Sequence, residues 1–163
     1  MFRAGKNIVF GDETLKTLFA TRQVSPLANE RGGVLIGRLL HSGHIIVDLA
    51  TIPQPNDRAT PTTFFRSDDH QKIIDAEWAQ SDGTSLYLGE WHTHAEAEPV
   101  PSVVDLNDWA RRLKDDQPSI KTMLFVIVGT FELTIFEGSV RSLQSVRLES
   151  IRWVDCAVLS SAA

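Results

Sequence analysis

The sequence predicts a single mixed α/β domain, and three observations carry that prediction. Segments of helical and of strand periodicity follow one another along the chain. Met123-Leu124-Phe125-Val126-Ile127-Val128 is an unbroken apolar run of the kind found in strands covered on both faces. No repeat, linker or low-complexity tract divides the chain. At 163 residues, one domain spanning 1–163 is expected, long enough to bury a core without staples.

In chain order, Asn7-Ile8-Val9-Phe10 reads as a short strand. Gly11-Asp12 offers a helix cap, and Leu15, Leu18 and Phe19 recur at helical spacing to about Gln23, before Pro26. Asn29 to Leu40 is a glycine-flanked apolar strand whose Gly32-Gly33 pair permits close backbone approach or an unusual dihedral. His41-Ser42-Gly43-His44 is a hairpin turn into the strand Ile45 to Ala50, and both histidines are expected at the surface. From Ile52 to Thr63 the composition shifts to Pro, Asn, Asp and Thr, giving the longest stretch without regular structure, of a kind often functional or mobile in compact domains. Phe64-Phe65-Arg66 is a short strand. Ser67-Asp68-Asp69 caps a helix from about His70 to Gln80 with Ile73, Ile74 and Trp78 on one face. A buried strand starts at Leu86 and carries Glu90-Trp91-His92-Thr93-His94, with Pro99 and Pro101 ending it. Val103 to Lys114 is an amphipathic helix burying Leu106, Trp109, Ala110 and Leu113. After the Met123–Val128 strand, Phe131 to Phe136 alternates as a hairpin partner, and Ser139 to Val154 gives one or two further strands.

Composition narrows the function. The formal net charge is −5, and the basic residues from Arg111 to Lys121 and from Arg141 to Arg152 are diluted by acids. There is no electrostatic footprint for nucleic acid. No apolar run approaches the ~20 residues that span a bilayer, and Met1-Phe2-Arg3-Ala4-Gly5-Lys6 opens no signal peptide. The single cysteine, Cys156, excludes an internal disulfide and a thiolate cage for structural zinc. A cytoplasmic protein is therefore expected.

The chemistry concentrates between Glu90 and Asp105. Side chains two apart on a strand share a face, so His92 and His94 project together and are able to share one metal ion, while Trp91 faces away and packs beneath. Ser102-x-x-Asp105 begins the following helix. An acid in a helix's first turn stays ionised, and a third ligand there completes an open, catalytic type of zinc site. The same four residues also read as a capping box, and the histidine pair as packing plus surface. A zinc hydrolase needs a general base. Glu90 shares the strand face of both histidines, and Glu30 stands just before the double glycine; spacing alone does not rank them. Ser102 is a candidate donor to a developing oxyanion.

Taken together, Glu30 before Gly-Gly-x-Leu-Ile-Gly, His92-x-His94, seven residues, and Ser102-x-x-Asp105 resemble the JAMM motif of the JAB/MPN metalloprotease family, from Glu30 to about Glu137. The resemblance implies a cytidine-deaminase-like α+β fold with a curved mixed sheet flanked by helices. It implies Zn²⁺ held by His92, His94 and Asp105, Glu30 as base and Ser102 as oxyanion donor. The implied activity is cleavage after the C-terminus of a ubiquitin-like or conjugated protein. Phe65-Arg66, His70-Gln71 and Tyr87 to His94 further resemble short bacterial JAB proteins of mobile elements and antiphage operons, including CBASS, whose partners are activating-type and conjugating-type enzymes. Inactive scaffolds of the family usually lack motif residues, and this chain keeps all five. A DNA-associated relative is disfavoured by the acidic balance and by the absent Pro-Ser-Gly after the histidines. Two departures stand out. Ala95 replaces the usual proline after the second histidine, and the segment before Met123 is too short for an insertion that grips linked ubiquitin. Glu96 and Glu98 are candidates for contact with a basic substrate tail, and the loop from Pro53 to Thr63, which corresponds to a substrate-contacting insertion in relatives, is a candidate for substrate contact.

Overall fold

The structure, a computed structural model, describes residues 2–4, 7–116, 120–156 and 159, with the backbone alone for 2–4. Met1, Gly5 and Lys6 of the N-terminal reading lie outside the described residues, and the expected 1–163 boundaries extend past them.

Among the described residues three helices, α1 (Asp12–Ala20), α2 (Asp69–Gln80) and α3 (Val103–Asp115), accompany ten strands. Eight strands form one mixed sheet: β1 (Phe2–Ala4), β2 (Ile8–Phe10), β4 (Ile45–Ala50), β3 (Gly32–Leu39), β7 (Leu86–Thr93), β8 (Thr122–Val128), β9 (Glu132–Ser139) and β10 (Gln144–Arg152), in that spatial order. Neighbours are antiparallel except β2/β4 and β7/β8. The first and last strands of this order still touch, so the sheet curls. The expected sheet flanked by helices is thus present.

β8 shows why an unbroken apolar run suits a central strand. Leu124, Val126 and Val128 enter one core with Leu15 and Leu18 of α1, while Met123, Phe125 and Ile127 enter the other with Trp109 and Leu113 of α3. The Trp109 and Phe125 rings stack at 4.6 Å between centroids. β7 and β8 run parallel, so α3 is the crossover between them, and the loop leaving β7 opens at the carboxyl ends of the parallel pair. Crevices at that end of parallel strands are where open α/β sheets bind ligands.

The structure differs from the sequence reading at several points. The strand carrying the histidines ends at Thr93, ahead of the prolines. The stretch from 52 to 63 is partly regular: β5 (Arg58–Thr60) and β6 (Thr63–Phe65) make a small hairpin. Asp68 precedes α2 with helical dihedrals and no side-chain cap bond. Trp78 is 56% exposed and Leu106 is 44% exposed. On α3 the buried stripe is Asp105, Trp109, Arg112 and Leu113, so two positions facing inward carry charge and Leu106 turns outward. One strand, followed by a short 3₁₀ turn at Trp153–Asp155, occupies Gln144 to Asp155. β1 had no signal in the sequence. His70, in the first turn of α2, is fully buried. No described helix is long and apolar enough to cross a membrane.

Gly32 and Gly33 serve close approach. A Cβ on Gly32 would lie 2.4 Å from the Phe64 ring and 2.6 Å from the Trp91 carbonyl, and one on Gly33 would lie 2.4 Å from the Thr51 carbonyl. The hairpin thereby lies directly over the start of β3, next to Glu30.

Candidate metal centre

His92 sits near the end of β7 and His94 one residue past it, with its amide donating to the Val128 carbonyl at 3.1 Å. That bond prolongs the β7/β8 pairing just long enough to keep both imidazoles on one side. Their Nε2 atoms are 3.1 Å apart. Asp105 reaches both from the first turn of α3, Oδ1 lying 3.3 Å from His92 Nε2 and Oδ2 3.3 Å from His94 Nε2.

The capping box fixes that carboxylate. Ser102 Oγ accepts from the Asp105 amide at 3.2 Å, and Asp105 Oδ2 accepts from the Ser102 amide at 2.6 Å. The capping and ligand readings are therefore compatible, because the cap aims the carboxylate at the histidines. Burial works against ionisation of Asp105, but bonds to His92, His94 and Ser102 hold its carboxyl well below the usual carboxylate range. Burial likewise opposes the charged form of His94, yet Asp105, Glu30 and Glu96 outweigh it and raise its pKa.

Glu30 comes from the segment before β3. Its amide donates to the Thr60 carbonyl of the hairpin at 2.8 Å, which places its side chain beside His94, Oε1 to Nε2 3.7 Å. The residue is only 4% exposed, and its Oε2 has no hydrogen-bond partner among the described residues. Burial pushes its carboxyl up to about 6 against the pull of His92 and His94, with Asp105 and Glu96 adding to the rise. Glu30, His92 and His94 each offer a ligand atom, and these three atoms lie within 4.8 Å of one another.

The donor set fits a divalent metal. Edges of 3.1 and 3.3 Å match the roughly 3.3 Å between two ligand atoms that each stand ~2.0–2.1 Å from a tetrahedral zinc. Two imidazole nitrogens and an ionised carboxylate are borderline and hard donors of the kind zinc takes.

Glu90, the other candidate base, is engaged elsewhere. Arg66 donates to it, Arg112 Nε lies 3.3 Å away, and the Tyr87 hydroxyl oxygen stands 3.3 Å from it. Sequence reasoning missed these partners, although Asp108, Arg112 and Asp116 recur at the spacing that aligns one helix face. Trp91, as expected, packs beneath in the core, its Nε1 donating to the Thr51 carbonyl at 3.1 Å.

The loop from Ala95 to Pro101 is anchored despite lacking the early proline. The Thr130 amide donates to the Glu96 carbonyl at 2.7 Å, and the amides of Phe131 and Glu132 donate to the Ala97 carbonyl. A groove of about 320 Å³ leads to the centre, lined by Pro26, Pro61, Thr62 and Ala95 together with Glu30, His94, Glu96 and Ser102. Of the stretch proposed for substrate contact, Pro61 and Thr62 at the hairpin turn reach this groove.

Residues 13–148 match the family of prokaryotic homologues of the JAB domain. A Pseudomonas aeruginosa protein named CD-NTase/cGAS isopeptidase is 38% identical over 77% of this chain and 79% of its own length. Vibrio cholerae and Escherichia coli proteins of the same name are 34% identical (75% and 76% covered) and 32% identical (79% and 80%). The solution structure of a Desulfitobacterium hafniense protein superposes with a TM-score of 0.58 at 19% identity, covering 87% of this chain and 90% of that one. A Salinibacter ruber protein gives 0.51 at 19% identity, covering 90% and 91%. These two likenesses concern the fold alone.

Proposed function

This chain belongs to the prokaryotic homologues of the JAB domain, and on that footing we propose that it is a zinc-dependent isopeptidase of the JAMM type. Its substrate is a protein conjugated through its C-terminus, of the CD-NTase kind named for its relatives. It reverses attachment made by activating-type and conjugating-type enzymes of a bacterial, CBASS-like defence system, in the cytoplasm. The observation that carries this reading is the convergence of Glu30, His92, His94 and Asp105, from three separate segments, on one buried point beside Ser102.

In this reading His92, His94 and Asp105 hold the zinc. Asp105 is preferred to Glu30 as ligand because it is nearer the histidine nitrogens, aimed by the cap and held ionised. A zinc ion held there supplies Lewis acidity, acidifying water and polarising a carbonyl oxygen. Glu30, with an unpartnered oxygen and a carboxyl lifted towards neutrality, suits a group that takes a proton from the attacking water and returns it to the leaving amine. Ser102 Oγ spends a lone pair on the cap, so its own proton is free for a developing oxyanion. The groove positions an extended chain between the hairpin turn and the Ala95 loop.

The test is to incubate the purified protein with a C-terminally conjugated CD-NTase and weigh the products. Release of the intact, unconjugated C-terminus, abolished by a chelator and restored by zinc, is expected. An uncut conjugate in the presence of zinc would remove the proposal.

A further inference from the structure

A second buried cluster of charge adjoins the centre, and the chemistry above leaves it unused. Arg66, one residue past β6, donates through Nε to Glu90 on β7 and through Nη2 to Asp116, one residue past α3, the latter at 2.7 Å. Its side chain is 7% exposed. Arg112 stands 3.3 Å from Glu90 and 3.5 Å from Asp116, and the Tyr87 hydroxyl donates to the same Asp116 oxygen at 3.0 Å. A small polar cleft lined by Arg66, Glu90, Asp108, Asp105 and His92 joins this cluster to the centre.

The guanidinium of Arg66 is the point where three elements meet, and each continues into the centre. Two residues on from Glu90, β7 carries His92. The other end of α3 carries Ser102 and Asp105. The hairpin that ends in Phe65 carries Thr60, whose carbonyl holds the Glu30 amide. A planar fork is able to bond two acids in different directions at once, whereas an ammonium acts as a point charge. A pair serving stability alone needs no such three-way node.

We propose that Arg66 is a positioning residue for hydrolysis, fixing where the hairpin sets the Glu30 carboxylate relative to His92, His94 and Asp105. This rests on the reading of Glu30 as the base. Displacement of a reacting group by about 1 Å costs on the order of 100-fold.

Arg66→Lys retains a buried positive charge but bonds one acid at a time. It should bind zinc with unchanged stoichiometry, lose roughly 10- to 100-fold in kcat with little change in KM, and exchange the Glu30 amide proton at least about tenfold faster as the Thr60 bond opens more often. In a Glu30→Gln background the same substitution should cost almost nothing further in kcat, because coupled groups are non-additive. Amide exchange and kcat must both change; either one unchanged, or an equal kcat loss in both backgrounds, overturns the proposal. If Arg66→Lys does not fold, Arg66→Met with Glu90→Gln removes the charge pair together and must show the same changes. Full activity of Glu30→Gln alone would instead overturn the reading of the base.

Discussion

The Nε2 atoms of His92 and His94 lie 3.1 Å apart, with Asp105 Oδ1 3.3 Å from the first and Oδ2 3.3 Å from the second. Two neutral imidazoles at that separation either share one proton or set lone pair against lone pair, whereas a shared cation satisfies both rings and the carboxylate. Zinc should therefore stabilise the fold. At a thousand-fold excess over Kd the linkage is worth about 4 kcal/mol, or roughly 10 °C in Tm for a chain of this size. Thermal melting with and without chelator checks it, and His92→Ala should lose the gain.

Ser102 is assigned two tasks, and glycine separates them. At a helix cap Ser→Gly costs only a few tenths of a kcal/mol, while loss of an oxyanion donor costs about 100-fold or more in kcat. Ser102→Gly should melt close to wild type and turn over about 100-fold more slowly. A variant of normal rate would leave Ser102 as a cap alone.

The segment entering the hairpin is tied down through Asp57. Its Oδ2 accepts from the Gln54 amide at 2.7 Å and lies 3.0 Å from His70 Nε2, and its Oδ1 accepts from the Ser67 amide and hydroxyl. Burial alone would raise its pKa, but these donors lower it below the ordinary value. A depressed carboxyl contributes stability that is complete above its unfolded pKa, about 3.9, and is lost as pH falls through the folded value. Asp57→Asn leaves one oxygen for four donors and should cost roughly 1–3 kcal/mol at neutral pH. The gap between the two denaturation curves should persist down to pH ~4 and narrow below it.

Gly32→Ala should push Phe64 and the Trp91 backbone apart, since its Cβ would stand 2.4 and 2.6 Å from them. Overpacking of this kind costs about 1–3 kcal/mol. Because the displaced hairpin also holds the Glu30 amide, turnover should fall with Tm, and Phe64→Leu should recover part of both.

Much of this was legible in the sequence, for identifiable reasons. β8 was readable because burial on both faces leaves an unbroken apolar run. The histidine pair was readable because strand geometry fixes its period. Of the hairpin at 58–65 only the second strand was, since the turn and first strand are held by neighbours distant in sequence: Thr60 by Glu30, Phe64 by Gly32, and Asp57 by His70. The inward face of α3 was misread at Leu106 because Asp105 and Arg112 take buried positions, one facing the histidines and one facing Glu90. Spacing alone left Glu90 and Glu30 unranked as base. Only tertiary contacts reveal that Arg66 and Arg112 already occupy it.

The most direct measurement is zinc content and turnover of Glu30→Gln beside the wild type, on one conjugated substrate. Both proteins should hold about one zinc per chain, with the variant at least ~100-fold slower. A zinc-loaded Glu30→Gln cleaving at the wild-type rate would contradict the assignment of the base and with it the mechanism.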